Sequence, residues 1–260
     1  LDEIVKRIGI GQKRGLAVPD GISVSDVYLE RKPLYEKFSQ FTVDGSKSVE
    51  QLVSEVDIYK YIKMHLLAGS TGFLGNKILR ALGIQDVPTV ALGRRAIPNL
   101  PNNAKELIID FNELNKITFP NIDYLYLSLG YPLYYQNVMG LMNPTLKKNF
   151  FEVDFTYQLE IAKKAKDVGA RGISLISAVG ADSGSWNYYL KTKGMLEKEI
   201  IDLKFDSTSI FRPGHLMGNK NRLDIVFADT VSRIVDPLLH GSIEKFRSIP
   251  VEKISESVVK

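Results

Sequence analysis

The sequence predicts an α/β protein with a doubly wound parallel sheet, preceded by a mostly helical extension. From residue 63 onward, short apolar runs that end near glycine alternate with amphipathic helical stretches, the order expected of right-handed βαβ units. Before residue 63 the pattern is one of short helices separated by loops. We therefore divide the chain into an N-terminal helical extension, residues 1–62, and an α/β domain, residues 63–260.

The composition is that of a globular chain, and it narrows the chemistry. The 260 residues are 44% hydrophobic and 25% charged, and none is cysteine. Thiolate nucleophiles, disulfides, iron–sulfur clusters and Cys-type zinc sites are therefore excluded. Three scattered histidines without ligand spacing predict no metal site. The net charge of +4 is mixed along the chain, so we expect no nucleic-acid partner, and we expect no membrane span.

Short helices are predicted in the extension. Residues 1–8 form an amphipathic stretch, and Ser25 is an N-cap candidate for a helix that Pro33 interrupts. Ser46 or Ser48 can cap a further helix. Its apolar residues recur at a spacing near 3.6: Val49, Leu52, Val53 and Val56.

Six short apolar segments are the predicted strands of the sheet: residues 65–68, 87–92, 107–109, 124–127, 172–177 and 207–211. Helices are predicted at 77–82, 150–168 and 187–203. The connections 93–106 and 112–122 are short and rich in Pro and Asn, so they leave no room for full crossover helices. The prediction is therefore a trimmed form of the doubly wound sheet.

A glycine-rich turn follows the first predicted strand and opens the first helix. Gly69, Gly72 and Gly75 have the spacing G-x-x-G-x-x-G. In this context Gly69 permits a tight exit from the strand, Gly72 lets the backbone approach a pyrophosphate, and Gly75 lets the helix pack close to the sheet. The helix start then offers free N–H groups to the phosphates. The turn predicts a dinucleotide site in a Rossmann domain, with a purely structural glycine turn as the alternative.

Two arginines stand where an acid normally accepts hydrogen bonds from the adenosine ribose. Arg94 and Arg95 follow the second predicted strand, and guanidinium groups suit a 2′-phosphate. We therefore expect NADP(H) rather than NAD(H), with a solvated surface pair as the alternative. Asp110, followed by Phe111, ends the third strand, and its carboxylate either accepts from the adenine amino group or caps the next turn.

Tyr189 and Lys193 are four residues apart on a predicted helix, which places them on one face. A neighbouring ammonium lowers the pKa of a phenol, so we expect Tyr189 to exchange a proton with a carbonyl or alcohol while hydride moves. Ser177 ends the preceding strand and can hydrogen-bond the substrate oxygen. The predicted catalytic residues are therefore Ser177, Tyr189 and Lys193.

Other aromatic and histidine residues are candidates for the wall of the pocket. In open α/β sheets the ligand crevice lies beyond the carboxyl ends of the strands. The aromatic run 131–135 follows the fourth strand, and Trp186 and His215 lie near the proposed catalytic residues in sequence. Ordinary packing or exposure to solvent is the alternative for each of them, and we expect a structural role for His65.

These motifs together resemble the atypical branch of the short-chain dehydrogenase/reductase superfamily, and within it the small NADPH-binding proteins of the Tat-interacting-protein/oxidoreductase type. The resemblance covers about residues 63–260. The segments that carry it, in the family's order and spacing, are Gly69–Gly75, Leu92–Arg95, Asp110-Phe111, Leu129-Gly130, Ser177–Asp182, Tyr188–Gly194, Phe211–Gly214 and Asp236–Leu239.

The resemblance implies a role for each matching residue. Residues 69–75 would hold the pyrophosphate: Gly69, Ser70, Thr71, Gly72, Phe73, Leu74 and Gly75. Arg94 and Arg95 would hold the 2′-phosphate. Three further sets would follow the cofactor from adenosine to nicotinamide: Leu129 with Gly130, then Lys193 at the nicotinamide ribose, then Pro213 with Gly214. Two features depart from the family pattern, namely the extension 1–62 and Ala178 in place of a second serine.

The hypothesis that follows is an NADP(H)-dependent oxidoreductase that moves hydride to or from a small carbonyl or alcohol. The alternative is a catalytically silent NADPH-binding protein that acts as a structural or regulatory subunit of a larger assembly. Residues 1–62 would then be the arm that docks its protein partner. A cytoplasmic location is expected, with mitochondria as the alternative. The N-terminus is expected to be incomplete because the chain begins at Leu1, and the C-terminus because residues 258–260 lie inside a helix-like pattern without a stop signal.

Overall fold

The computed structural model describes residues 24–38, 44–53, 64–219 and 223–259. The chain divides into two compact units, residues 1–62 and 63–260. The predicted stretch 1–8 and Val56 lie outside the described residues.

In the first unit, helix α1 spans Val24–Phe38 and runs through Pro33. Ser25 therefore lies inside the helix, so the predictions of an N-cap at Ser25 and of a break at Pro33 were wrong. The φ angle of proline is itself helical, and a helix can absorb the loss of one N–H donor when its other bonds hold it together.

Residues 49–53 of the first unit are also helical. The backbone N–H of Gln51 donates to Oγ of Ser48 over 3.3 Å, and the backbone N–H of Ser48 donates to Oε1 of Gln51 over 3.0 Å. This reciprocal pair is a capping box, so Ser48 rather than Ser46 caps the helix. Ser46 instead donates its hydroxyl to Asp44 over 2.7 Å.

The second unit is built on a six-stranded parallel sheet with the strand order β3-β2-β1-β4-β5-β6. The strands are β1 His65–Ala68, β2 Thr89–Gly93, β3 Ala104–Ile108, β4 Tyr124–Leu127, β5 Gly172–Ile176 and β6 Ser207–Phe211. A smaller pair, β7 Leu216–Met217 and β8 Ile249–Pro250, lies apart from this sheet. The strand order reverses between β1 and β4, which is where doubly wound sheets form their ligand crevice. The predicted fold class is confirmed.

The helices of the second unit are α2 Phe73–Ile84, α3 Tyr135–Val138, α4 Pro144–Phe151, α5 Gln158–Asp167, α6 Tyr188–Asp202, α7 Leu223–Val235 and α8 Val251–Val259. Of these, α2 and α8 pack on one face of the sheet, and α5 and α6 pack on the other. Between α4 and α5 the chain forms a π-helical turn, Glu152–Tyr157. The link between β3 and β4 holds only a 3-10 helix, Phe111–Lys116, and residues 94–103 between β2 and β3 form no α-helix. The trimmed connections were therefore predicted correctly.

The central strand β1 shows how the core is divided. Alternate residues of a strand point to opposite faces of the sheet. Leu66 and Ala68 face a core that α5 and α6 close, whereas Leu67 faces a second core that α2 and α8 close. Because both faces are covered, β1 reads as a continuous apolar run. Within the described ranges, no helix has the length and apolar character needed to cross a membrane.

Candidate active site

A cavity of about 620 Å³ lies beyond the carboxyl ends of β4, β5 and β6. Segments 128–131, 176–179 and 213–216 supply about half of its wall, and the first turn of α2 closes one side. Most of the lining is apolar, and a few polar side chains converge in it: Asp154, Ser177, Asn187, Tyr189, Lys193 and His215. A mostly apolar cleft with a few convergent polar groups is the usual form of a small-molecule site.

The glycine turn is packed so closely that two of its glycines, Gly69 and Gly75, leave no room for a Cβ atom. Gly69 has φ +93°, and a Cβ on it would lie 2.6 Å from the carbonyl oxygen of Ser128. A Cβ on Gly75 would overlap the carbonyl oxygen of Gly69 and Oγ of Ser128. Gly72 is the N-cap of α2 and gives the helix no side-chain cap. Next to these glycines, Oγ of Ser70 is buried without a hydrogen-bond partner.

Arg94 and Arg95 are both exposed and directly follow β2. They therefore lie at the carboxyl ends of the strands, as the glycine turn after β1 does. The guanidinium of Arg94 lies 6.0 Å from the centre of the Phe111 ring, which is within the range of a cation–π contact. Phe111 itself is buried in the core, so its side chain supports Arg94. The carboxylate of Asp110 accepts from the backbone N–H of Asn112 over 2.9 Å, so it caps the 3-10 helix, as one of the two alternatives predicted.

Ser177, Tyr189 and Lys193 all line the same cavity. The backbone N–H of Ser177 donates to the carbonyl of Phe211 over 2.8 Å, which extends the β5–β6 pairing and fixes the serine. Its Oγ is buried and has no hydrogen-bond partner. A buried hydroxyl without a partner is costly, and here it faces a space that a substrate oxygen can fill.

Helix α6, which carries Tyr189 and Lys193, is anchored by its N-cap residue. The side chain of Asn187 accepts from the backbone N–H of Leu190 over 3.2 Å and donates to the carbonyl of Val138 over 2.8 Å. The ring of Tyr189 packs against Phe150 with a centroid distance of 5.5 Å. The helix start is thus tied to the segment that follows β4, and the phenol of Tyr189 is held at the cavity wall.

Sequence reasoning missed a carboxylate that completes this group. Nζ of Lys193 lies 2.7 Å from Oδ1 of Asp154, and both side chains are almost fully buried. The other oxygen of Asp154 accepts from the backbone N–H of Tyr131 over 2.7 Å. The sequence holds one signal of this pair: Asp154 stands between Val153 and Phe155 in a stretch rich in aromatic residues, and an acid that is buried there is expected to have a partner.

The pKa of Tyr189 differs from the prediction, which was that Lys193 lowers it. Burial raises the pKa of Tyr189, Lys193 opposes this rise, and Asp154 adds to it. The predicted net lowering of this pKa was therefore wrong, because burial and the charge of Asp154 together outweigh the ammonium. Burial also acts to lower the pKa of Lys193, but the neighbouring Asp154 and Tyr189 hold it above its ordinary value.

The remaining candidates divide between the cavity and the surface. His215 and Tyr131 line the cavity, and Nε2 of His215 is hydrogen-bonded to the carboxylate of Asp229 on α7. Tyr134 and Trp186 are exposed and are not part of the lining. Nδ1 of His65 is hydrogen-bonded to the hydroxyl of Tyr126 over 3.2 Å within the sheet. Among the described residues, no group of three or more His, Asp or Glu side chains is arranged to hold a metal.

Comparison with known proteins places the chain in a family. No family model matches it. Protein FMP52, mitochondrial, of Lodderomyces elongisporus is 35% identical to it over 167 residues, which cover 60% of this chain and 68% of the relative. The chain belongs to the FMP52 family. Protein HTATIP2 of Rattus norvegicus is 30% identical to this FMP52-family chain over 162 residues, which cover 60% of the chain and 63% of the relative. The predicted resemblance to proteins of the Tat-interacting type is confirmed.

Solved structures support the same fold for this FMP52-family chain. The closed form of serine dehydrogenase complexed with NADP+ has a TM-score of 0.56 at 16% identity and covers 75% of this chain and 87% of that chain. MoeE5 in complex with UDP-glucose and NAD has a TM-score of 0.51 at 17% identity and covers 65% and 60%. Both are dinucleotide-bound structures, one with NADP+ and one with NAD.

Proposed function

We propose that this FMP52-family protein is an NADP(H)-dependent oxidoreductase that transfers hydride between the nicotinamide and a carbonyl or alcohol. The observation that carries the proposal is the meeting of Ser177, Tyr189 and Lys193 in one cavity. That cavity opens at the carboxyl edge of the sheet, near the point where the strand order reverses. A hydroxyl donor, a phenol and an ammonium are the groups that a carbonyl reduction requires.

The residues around the glycine turn fit a dinucleotide. The backbone at Gly69 and Gly75 is packed so tightly that only glycine fits, and the N-terminus of α2 has no side-chain cap. The buried Oγ of Ser70 has no partner in the protein, and a phosphate oxygen can supply one. In the proposed complex, residues 69–75 bind the pyrophosphate, and Arg94 and Arg95 bind the 2′-phosphate.

The cofactor, when bound, supplies or accepts the hydride. In the direction of reduction, Oγ of Ser177 donates a hydrogen bond to the substrate carbonyl oxygen and orients it. The phenol of Tyr189 donates its proton to that oxygen as negative charge develops there. Lys193 stabilises the phenolate that remains. In the reverse direction, the same phenolate accepts the hydroxyl proton of an alcohol.

The cavity wall indicates the kind of substrate. Away from the polar group it is lined by aliphatic and aromatic side chains, among them Leu129, Met139 and Ile225. Burial of apolar substrate surface against such a wall is favourable by about 25 cal/mol per Å². We therefore propose a carbonyl or alcohol compound with an apolar body.

The alternative is a silent NADPH-binding subunit, and one observation limits which direction of turnover can distinguish it from an enzyme. The ammonium of Lys193 is already paired with Asp154, and the pKa of Tyr189 lies above its ordinary value because of burial. Both features disfavour the phenolate that alcohol oxidation requires. In this alternative, residues 1–62 would provide the surface that docks a protein partner.

The test begins with fluorescence titrations of NADPH and NADH, followed by a screen of aldehydes and ketones for NADPH consumption. We expect Tyr189→Phe to bind NADPH like the wild type but to turn over at least about 100-fold more slowly, since the proton donor is lost. Tyr188→Phe is the matched control because Tyr188 is the adjacent tyrosine but does not line the cavity, and it should keep its activity. Binding without turnover of any carbonyl would favour the silent subunit, and failure to bind either nucleotide would remove both proposals.

We propose a mitochondrial location rather than the cytoplasmic one expected from the sequence. Curated FMP52 relatives from several yeasts carry the word mitochondrial in their names. Fractionation of cells that express the full-length protein, with a matrix and a cytosolic marker, tests this. Recovery with the cytosolic marker alone would contradict it.

A further inference from the structure

Asp154 occupies a special place in the fold. It lies on the π-helical turn Glu152–Tyr157, which joins α4 to α5. π-turns inside helices are rare and are frequent at functional sites. The carbonyl of Asp154 accepts from Nε2 of Gln158 over 3.0 Å, so the side chain of Gln158 binds the backbone of this turn. The turn thereby places the Asp154 carboxylate in the cavity wall, where it meets α6.

The Asp154 carboxylate joins two parts of the site. One oxygen holds Nζ of Lys193, and the other holds the backbone N–H of Tyr131 in the loop after β4. Both Tyr131 and Lys193 line the cavity. The catalytic ammonium and the loop over the cavity are therefore fixed to the same buried group.

We propose that Asp154 is a positioning residue that fixes Lys193 and balances its charge, so that the Tyr189 phenol keeps its proton and acts mainly as an acid. This inference rests on the proposed oxidoreductase function and adds a direction to it. With a protonated phenol, the site is prepared for reduction of a carbonyl at neutral pH. Alcohol oxidation would need a more alkaline solution, in which the phenol loses its proton.

The other ionisable groups near Tyr189 already have partners of their own, so Asp154 is the group that balances the charge of Lys193. Glu197, one turn beyond Lys193 on α6, is bound by Arg212 through two hydrogen bonds, so its charge is already paired. His215 on the opposite wall is hydrogen-bonded to Asp229. The pKa of Tyr189 is raised first by burial and also by Asp154, while Lys193 lowers it. Removal of the Asp154 charge should therefore free Lys193 to favour the phenolate.

The experiment measures ionisation of Tyr189 directly and needs no substrate. Tyrosinate absorbance is titrated with pH for the wild type and Tyr189→Phe, and again for Asp154→Asn with and without Tyr189→Phe. Each difference curve isolates Tyr189 from the other eleven of the 12 tyrosines. We expect its midpoint in Asp154→Asn to fall by about one pH unit or more. Where a carbonyl substrate is turned over, the alkaline limb of the kcat profile should move to lower pH by the same amount.

Glu197→Gln is the matched control, since it removes another buried carboxylate near Lys193 and should leave the Tyr189 midpoint in place. An unchanged midpoint in Asp154→Asn would overturn the proposal. If Asp154→Asn does not fold, Asp154→Ser replaces it in the titration. Loss of the folded state in both variants would also overturn the proposal, because the pair would then serve the fold. Failure of the oxidoreductase hypothesis is seen separately, as absence of turnover by the wild type.

Discussion

At the scale of single residues, the proposed nucleotide site depends on glycines at which a Cβ atom would meet neighbouring atoms. A Cβ on Gly75 would overlap the backbone of Gly69, whereas a Cβ on Gly130 would meet nothing within 4 Å. We expect Gly75→Ala to lower the free energy of unfolding by about 1–3 kcal/mol through overpacking and to weaken NADPH binding. Gly130→Ala should leave stability unchanged. Urea unfolding of both variants checks this, and equal midpoints would contradict it.

Arg94 and Arg95 carry the prediction of cofactor choice. We expect replacement of both by Ala to weaken NADPH binding roughly tenfold or more and to leave NADH binding nearly unchanged, since a charge-assisted hydrogen bond contributes about 1.5–3 kcal/mol. Arg171→Ala is the control for loss of an arginine away from the site, because Arg171 precedes β5 at the amino ends of the strands and pairs with Asp123. Parallel titrations with the two nucleotides provide the measurement. An equal loss for NADPH and NADH would show that the pair does not contact the 2′-phosphate.

Residue-level prediction succeeded where spacing within one element decides the geometry. Tyr189 and Lys193 share a helix face, and Ser177 follows a strand, so the sequence was enough to bring all three into one cavity. Asp154, by contrast, forms an ion pair with Lys193, a residue on a different helix and far from it in the sequence. Its placement depends on a π-turn for which the sequence carries no clear periodic signal, so the pair and its effect on the pKa of Tyr189 escaped prediction.

At the scale of elements, α2 supports the glycine turn by packing its apolar face on the sheet. Ile78 in this helix is fully buried, and Ile84 at its end is 87% exposed. We expect Ile78→Ala to lower the free energy of unfolding by about 2–5 kcal/mol and Ile84→Ala to change it by less than about 0.5 kcal/mol. Chemical denaturation of the two variants compares the same substitution in one helix, and similar losses would mean that α2 does not pack as described.

The bounds of β1, β4 and β6 match their predictions residue for residue, those of β2 and β5 differ by one or two residues, and those of β3, at one edge of the sheet, differ most. The strand β4 matches its prediction, whereas β3 was expected at 107–109 and lies at Ala104–Ile108. β3 lies at one edge of the sheet and contains Lys105 and Glu106, so only part of its sequence is apolar. The prediction of a break at Pro33 was also wrong, because α1 continues through this residue.

At the scale of the whole molecule, the division at residues 62 and 63 separates the proposed cofactor-binding unit from the extension. We expect a fragment of residues 63–260 to bind NADPH with the affinity of the full chain, because the proposed cofactor contacts all lie in that range. Fluorescence titration of the fragment and of the full chain checks this. A folded fragment that binds at least tenfold more weakly, roughly 1.4 kcal/mol, would show that residues 1–62 contribute to the site.

We propose that hydride transfer takes place in the cavity with Tyr189 as the proton donor. The most direct test uses NADPH deuterated at C4, in separate samples for the two faces of the ring, and a carbonyl compound with an apolar body. Mass spectrometry of the alcohol product should find one deuterium transferred from a single face by the wild type and by Tyr188→Phe, and almost none with Tyr189→Phe. No deuterated alcohol from the wild type, in a protein that binds NADPH, would contradict hydride transfer. Equal transfer by Tyr189→Phe would remove Tyr189 from its role.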